Sequence, residues 1–380
     1  MSNDAVRDAM EQRVGSGAAD VPGLVWAISR KGETEVGVEG THDVERDIPT
    51  ERDSIYRISS MSKPITAAAA LLLVDDGRLT LDDPVDDLLP ELADRQVLRN
   101  PEGPLDDTVP ADRPITTRDL LTFRLGLGME FSARPQPTLE AMAALDLGSG
   151  PPQPALPPEP DEWMRRLGTV PLAAQPGERW LYHTGADVLG VLVARAAGQP
   201  FEDFLHERLF GPLGMVDTSF SVPKDKLDRF GPLYNGRTIH DPRDGQWATP
   251  PAFPGGGAGL VSTLDDILAF GQMLLAEGVY DGDQILSPEL VTEMTRNHLT
   301  DEQLATSGPS FDGSLGWGLG LSVRLEAEHG ASVGTYGWNG GLGTGWSNDP
   351  TEGVVAILLT NQMWTSPVPP PVFQAFWAAL

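Results

Sequence analysis

The sequence predicts an α+β fold in which an antiparallel sheet is flanked by helices and a mostly helical domain is inserted into the chain. Residues 21–30 and 34–38 are strand-like runs on either side of the turn Lys31-Gly32-Glu33, which is the pattern of a β-hairpin. Strand-like runs return at 317–325, 332–338, 342–347 and 354–361, whereas the middle of the chain is mainly helical in pattern. Both ends of the chain are therefore expected to build one sheet.

The same patterns give the expected domain boundaries. A sheet domain is predicted at residues 1–75 together with 255–380, and the inserted, mostly helical domain at residues 76–254. Helices are expected at residues 5–18, 161–167, 185–209 with a break at 198–200, 263–277 and 372–380. Residues 148–160 are rich in proline and glycine and are expected to form a long irregular loop.

Composition excludes several classes of function. The chain has 380 residues, no cysteine and a formal net charge of −28. The charge argues against nucleic acid and anionic membranes as partners, and the missing cysteines exclude disulfides and thiolate metal sites. No apolar run is long enough to span a bilayer, and residues 1–8 do not resemble a secretion signal, so we predict a cytoplasmic location.

The most informative stretch begins at Ser60, which heads an apolar, alanine-rich run that continues to Asp75. This run predicts a buried helix that begins near Ser60, because Pro64 fits only close to a helix start. Ser60 and Lys63 are three residues apart, so they would share one face at the helix N-terminus. A buried lysine loses its proton readily and can then accept the proton of a serine hydroxyl. The pattern predicts a nucleophile and its base.

Other patterns have simpler interpretations. A second Ser-x-x-Lys match, Ser221-Val222-Pro223-Lys224, has no apolar helix behind it and is expected to lie in a loop. The glycine cluster at 255–260 suggests a phosphate loop, but it lacks the Gly-Lys-Ser/Thr that such loops carry. The acidic pairs at 75–76, 82–83 and 86–87 suggest a glycosidase or a calcium site, although solvation of a loop explains them better.

Histidine does not indicate a triad or a metal site. No histidine lies in a Gly-x-Ser-x-Gly or His-Glu-x-x-His context. We interpret all six as surface or loop residues: His42, His183, His206, His240, His298 and His329. No metal or cofactor is expected.

Two further segments fit a site built on Ser60. In the first, residues 177–185, Tyr182 lies where a loop meets a helix and can relay a proton, although a packed aromatic residue is the plainer interpretation. In the second, residues 336–344, glycines between two strands allow a substrate to approach a strand edge. Backbone N–H groups on that edge can contribute to an oxyanion hole, and an ordinary glycine-rich hairpin is the alternative.

The order and spacing of these segments resemble the serine β-lactamase and penicillin-binding-protein superfamily over nearly the whole chain. The resemblance is to the class C-like branch, which includes family VIII carboxylesterases and 6-aminohexanoate-dimer hydrolases. Ser60-Met61-Ser62-Lys63 matches the nucleophile motif, Tyr182-His183-Thr184 stands where the family has Tyr-x-Asn, and Trp338-Asn339-Gly340 stands where β-lactamases have Lys-Thr-Gly. Residues 79–85, 120–122 and 256–263 are also similar to family segments.

The resemblance implies a β-lactamase/transpeptidase-like fold with an active site between the two domains. It implies that Ser60 is acylated, that Lys63 and Tyr182 are the acid and base, and that the N–H groups of Ser60 and Gly341 form the oxyanion hole. Substrate-binding roles are implied for Thr184, Trp338, Asn339 and Gly340.

Two departures from the family pattern bear on the substrate. Thr184 replaces the usual asparagine and Trp338 replaces lysine, so contacts to a substrate amide and carboxylate are weakened. We therefore expect a carboxylesterase acting on small neutral esters, without a cofactor. The alternatives are an amidase, a D-peptidase or a weak β-lactamase, or a catalytically idle binding member of the fold. The partner is then a small-molecule ester or amide, and nothing in the sequence indicates an oligomeric state.

Overall fold

An eight-stranded antiparallel sheet lies at the centre of the fold. The computed structural model describes residues 4–15, 21–131, 134–148, 150–307, 313–328 and 330–380. The strands are β1 (Gly23–Arg30), β2 (Glu33–Asp43), β3 (Ile48–Pro49), β4 (Tyr56–Arg57), β5 (Gln96–Leu98), β6 (Thr108–Pro110), β7 (Leu233–Asn235), β8 (Thr238–Asp241), β9 (Val261–Ser262), β10 (Val279–Tyr280), β11 (Asp283–Gln284), β12 (Leu315–Trp317), β13 (Ser322–Arg324), β14 (Tyr336–Gly340), β15 (Thr344–Asp349) and β16 (Val354–Thr360). The order in the central sheet is β12-β13-β14-β15-β16-β1-β2-β3, and the other strands form two-stranded ribbons.

Helices cover both faces of this sheet. They are α1 (Asp4–Glu11), α2 (Ser62–Asp75), α3 (Thr117–Leu121), α4 (Pro137–Ala144), α5 (Pro160–Leu167), α6 (Thr184–Ala197), α7 (Phe201–Leu205), α8 (Gly211–Leu213), α9 (Leu264–Leu275), α10 (Pro288–Met294), α11 (Asp301–Thr306) and α12 (Pro371–Ala379). In the described part of the chain, no helix has both the length and the apolar character needed to cross a membrane.

The two ends of the chain meet at β1 and β16, which pair along their whole length, with Ala27 opposite Ile357. Successive residues of β1 point to opposite faces. Val25 and Ala27 pack into the larger core with α2 and α9, whereas Leu24 and Trp26 pack into a second core with α1 and α12. Both faces of β1 are thus buried, which explains why its sequence is apolar without alternation.

The region between residues 76 and 254 holds α3 to α8 and the two short ribbons β5–β6 and β7–β8. The sheet built from both chain ends and the flanking helices agree with the predicted α+β fold. The domain boundaries at 75/76 and 254/255 stay predictions. The second Ser-x-x-Lys match lies in irregular chain at Ser221, and the exposed Lys224 begins a short 3₁₀ helix.

Candidate active site

Ser60 lies in a 3₁₀ turn, Ser59–Met61, that leads directly into α2. The α-helix begins at Ser62, two residues later than predicted, and the preceding turn contains Ser59, whose positive φ of 48° lies outside the α-helical region. All residues of α2 from Ser62 to Leu73 are buried, as its alanine-rich sequence predicted. Ser60 itself is half-buried at the head of this rigid element.

Lys63 lies one turn after Ser60, and its Nζ donates a 3.0 Å hydrogen bond to the Ser60 Oγ. The same Nζ is 2.6 Å from the Gly257 carbonyl oxygen and 3.1 Å from the His183 Nδ1. The Lys63 side chain is 1% exposed. Burial lowers the pKa of Lys63 from 10.5 to about 7, although the Asp187 carboxylate opposes this shift. Lys63 can therefore be neutral near physiological pH.

Tyr182 completes the group around Ser60. Its hydroxyl hydrogen-bonds with Ser60 and accepts a 2.7 Å bond from the Trp338 Nε1. Burial raises the pKa of Tyr182 to about 12, and the bonds to Ser60 and Trp338 reduce that rise. The ring also lies beneath Lys63, whose Nζ is 4.5 Å from the ring centroid. At neutral pH Tyr182 is a phenol that can donate a proton, whereas Lys63 is the better base.

An aromatic wall lines one side of the site. It consists of Phe123, Phe131, Trp180, Tyr182, Trp317 and Trp338. Trp338 meets Trp317 edge to face, with ring centroids 4.8 Å apart at 90°. Trp338 is half-buried, so part of its indole faces the space next to Ser60 and Tyr182.

The segment from Trp338 to Gly341 approaches the nucleophile through its backbone. A Cβ on Gly340 would collide with the carbonyl oxygen of Ile58, so only glycine permits this approach. The Thr344 hydroxyl donates to the same Ile58 carbonyl at 3.0 Å. Gly341 is exposed, and its N–H donates to no group in the part of the chain that the structure describes. The Ser60 N–H belongs to the first helical turn, where amides have no intrahelical acceptor.

Asn339 and Thr184 are less accessible to a substrate. Asn339 pairs with Gly345, and its side chain lies on the sheet face of Phe373 in α12, opposite to the face of Trp338. Any contact of Asn339 with a substrate would therefore be through its backbone. Thr184 is 2% exposed at the start of α6, where its N–H donates to the Tyr182 carbonyl at 3.2 Å.

His183 and Asp187 belong to the site, although the sequence interpretation did not include them. The His183 Nδ1 contacts Lys63, and its Nε2 is 3.1 Å from the Asp187 Oδ2. Burial would raise the pKa of Asp187, but His183, the Gly257 N–H and Lys63 hold it below its usual range. His183 lies in a turn outside any helix or strand, as expected for a loop residue, but it is half-buried and its ring contacts Lys63 and Asp187. The interpretation as a surface or loop residue was wrong for His42, which is 3% exposed within β2. The spacing of four residues between His183 and Asp187, next to Tyr182, was the signal that pointed to a pair.

The glycine cluster at residues 255–260 packs closely against neighbouring helices and is not interpreted as a phosphate-binding loop. The Gly256 carbonyl accepts a 2.8 Å bond from the Thr66 hydroxyl of α2. A Cβ on Gly256 would lie 2.5 Å from the Ala186 carbonyl oxygen, and one on Gly257 would lie 2.9 Å from the Asp187 Oδ1. The cluster thus passes tightly across the starts of α2 and α6, and it brings the Gly257 carbonyl to Lys63.

The family of this chain follows from comparison with known proteins. The Beta-lactamase family model matches residues 3–370. Esterase EstB from Burkholderia gladioli is 32% identical, with 89% of this chain and 86% of EstB covered. Protein Rv1367c from Mycobacterium tuberculosis is 39% identical, with 93% and 88% covered. A solved structure of EstCE1, described as a hydrolase with promiscuous acyltransferase activity, matches with a TM-score of 0.77 at 25% identity and covers 98% of both chains.

The chain belongs to the beta-lactamase family. This membership confirms the resemblance seen in the sequence, the α+β fold class and the expectation of a serine hydrolase.

Proposed function

We propose that this serine hydrolase is a carboxylesterase that acts through an acyl-enzyme on Ser60. The observation that carries the proposal is the 3.0 Å hydrogen bond between the Lys63 Nζ and the Ser60 Oγ, made by a lysine whose burial lowers its pKa to about 7. A base within hydrogen-bond reach and near the working pH is what activation of a serine requires. The relationship to Esterase EstB supports ester substrates.

In the proposed first step, neutral Lys63 takes the Ser60 proton while the Oγ attacks the ester carbonyl carbon. The N–H groups of Ser60 and Gly341 stabilise the oxyanion that forms. Tyr182, whose hydroxyl hydrogen-bonds with Ser60, donates a proton to the departing alkoxide and regains one from Lys63. A water molecule then attacks the acyl-enzyme with the same groups in reverse, which releases the carboxylic acid and restores Ser60.

A burst experiment tests this proposal. Stopped-flow hydrolysis of p-nitrophenyl butyrate should release close to one equivalent of p-nitrophenol per enzyme wherever deacylation limits turnover. Mass spectrometry of the acid-quenched, digested protein should then find the butyryl group on the peptide that carries Ser60. A butyryl group reproducibly attached to another residue, or turnover without any acyl-enzyme at saturating substrate, would contradict the proposal. Absence of all hydrolase activity on esters, amides and lactams would favour an idle binding role.

The pH dependence follows from the state of Lys63. Lys63 acts as a base only when neutral, and its pKa in the folded protein is about 7 instead of 10.5. We expect kcat/KM for p-nitrophenyl butyrate to fall on the acid side through an apparent pKa near 7 and to level off above it. Lys63→Arg, which stays charged, should lose activity at every pH. A rise that begins only near pH 10 would show that Lys63 is not desolvated as described.

Trp338 determines the expected preference between substrate classes. β-Lactams and D-Ala-ending peptides carry a carboxylate that needs a cation, whereas Trp338 presents an indole in an aromatic wall. We expect kcat/KM for p-nitrophenyl butyrate to exceed that for benzylpenicillin by several orders of magnitude, and Trp338→Lys to narrow the gap. Because this change also removes the donor to the Tyr182 hydroxyl, Trp338→Phe is the matched control. Equal efficiency on both substrates in the wild type would refute the argument.

A further inference from the structure

A closed ring of hydrogen bonds surrounds the Lys63 amine on the side away from Ser60. The Lys63 Nζ lies 3.1 Å from the His183 Nδ1, and the His183 Nε2 lies 3.1 Å from the Asp187 Oδ2. The Gly257 N–H donates to the other Asp187 oxygen at 2.8 Å, and the Gly257 carbonyl accepts from Lys63 at 2.6 Å. Asp187 is 7% exposed and Lys63 is 1% exposed, so the ring is largely shielded from water.

The ring dictates where the imidazole proton lies. A carboxylate only accepts hydrogen bonds, so the His183 Nε2 that faces Asp187 must carry a hydrogen. The Nδ1 of neutral His183 is then an acceptor that can take a hydrogen bond from Lys63 but cannot give one. The partner of one ring nitrogen thus sets the behaviour of the other.

This arrangement bears on how Lys63 works as a base. A neutral amine has two N–H bonds and one lone pair. With both hydrogens of the neutral amine directed to the His183 Nδ1 and the Gly257 carbonyl, the lone pair is left facing the Ser60 Oγ, so the 3.0 Å contact that the charged amine makes as donor becomes one in which the Ser60 hydroxyl donates. We infer that His183 and Asp187 are positioning residues for the acylation of Ser60: Asp187 fixes the tautomer of His183, and His183 fixes the rotation of the Lys63 amine. The inference rests on the proposed function.

The backbone at His183 supports a functional reason for this placement. His183 has φ 84° and ψ −63°, and the bond from the Thr184 N–H to the Tyr182 carbonyl closes a γ-turn around it. This positive-φ form of the γ-turn is rare and strained, above all for a residue with a side chain. The turn directs the imidazole back to Lys63 immediately before α6 begins.

Gly257 gives a second, independent observation. A Cβ there would lie 2.9 Å from the Asp187 Oδ1 and 3.0 Å from the His183 Cε1, so the Asp187 and His183 side chains would have to shift. The ring therefore keeps its present distances because residue 257 has no side chain. A strained residue and a closely approached glycine both support the same set of contacts.

Asp187→Asn tests the tautomer directly. The Gly257 N–H still needs an acceptor, so the amide oxygen of the new Asn faces Gly257 and its NH₂ faces His183. The imidazole must then carry its hydrogen on Nδ1, where it donates to the Lys63 lone pair and competes with Ser60. We expect kcat to fall by about 100-fold, the usual scale for lost general-base catalysis, with little change in KM.

A double-mutant cycle separates this role from a structural one. The amide oxygen of Asn in His183→Asn can accept from Lys63 near the position of Nδ1, so this variant should stay within about 10-fold of the wild-type kcat, whereas His183→Ala should not. In the His183→Asn background, Asp187→Asn should cost little more, because no tautomer is left to set. A purely structural Asp187 would cost the same factor in both backgrounds. His240→Asn, at an exposed position in β8, controls for loss of a histidine.

Nitrogen-15 NMR of histidine-labelled protein reads the tautomer without any assay of activity. The signals absent from His183→Asn belong to His183, and they should report Nε2–H in the wild type and Nδ1–H in Asp187→Asn. If the wild type shows Nδ1–H at neutral pH, or if Asp187→Asn keeps the wild-type kcat, the inference is overturned. If Asp187→Asn does not fold, the wild-type spectrum and the difference in kcat between His183→Asn and His183→Ala test the inference instead. Acylation of Ser60 in the wild type is measured separately, so failure of the proposed function can be distinguished from failure of this inference.

Discussion

Ser60→Ala is expected to abolish both ester hydrolysis and covalent labelling by a fluorophosphonate. The change removes the only atom that can form the acyl bond while it leaves Lys63 and Tyr182 in place. Where the catalytic residues of a serine hydrolase act as a unit, loss of the nucleophile lowers kcat by roughly 10⁴- to 10⁶-fold. Intact-mass spectrometry should show one added phosphonyl group on the wild type and none on Ser60→Ala.

The second Ser-x-x-Lys match supplies a matched control for this experiment. Ser221 precedes an exposed Lys224 and no apolar helix, so it lacks the buried lysine that Ser60 has beside it. Ser221→Ala should be labelled at the wild-type rate and should keep wild-type kcat. Labelling that survives in Ser60→Ala would disprove the proposed mechanism as a whole.

Lys63→Met is expected to remove activity and to raise thermal stability at the same time. Activity should fall by about 100-fold or more, because the general base is lost. Stability should rise because folding buries an amine whose pKa drops from 10.5 to about 7. At about 1.4 kcal/mol per pKa unit, this cost is about 5 kcal/mol at most, and the three hydrogen bonds of Lys63 offset part of it.

The size of this stability gain depends on pH in a defined way. Between pH 7 and 10.5 the unfolded chain binds more protons at Lys63 than the folded chain, so wild-type stability rises with pH in this window. The Tm advantage of Lys63→Met should therefore be largest near pH 6 to 7 and should shrink towards pH 10. Differential scanning fluorimetry across this range measures it, with the exposed Lys224→Met as control. A Tm advantage that stays constant with pH would contradict burial of a titrating amine.

Long apolar runs explain how much of the fold could be predicted from the sequence. Strands β1 and β16 and helix α2 are buried along nearly their whole length. Their apolar sequences therefore predict them without information about the elements they pack against. The run at 317–325 was wrongly predicted as one strand. It is the hairpin β12–β13, because Gly320 has a φ of 80° and lies against Ala67 of α2. The break between the two strands thus depends on a tertiary contact. The first helix was also predicted too long: α1 ends at Glu11, short of the predicted residue 18.

The active site shows the same difference between features set by local sequence and features set by tertiary contacts. Ser60 and Lys63 lie within one helical turn, so their contact follows from local geometry. The contact of His183 with Lys63 spans 120 residues, and it depends on a strained turn and on Gly257. No local sequence pattern predicts a contact of this kind. Sequence reasoning found Ser60 and Lys63 from a local motif and Tyr182 and Trp338 from the resemblance to a family, and it missed His183 and Asp187.

The pairing of β1 with β16 also has a consequence for synthesis of the protein on the ribosome. β1 is translated more than 300 residues before one of its two partners, β16. The Thr344 hydroxyl that holds the Ile58 carbonyl beside Ser60 emerges almost as late. Until then the nascent chain exposes apolar strand edges, a state prone to aggregation. We expect stalled nascent chains that end at residue 340 to be cleaved by protease and to remain unlabelled by a fluorophosphonate. The protein would then become active only when β15 and β16 have left the ribosome.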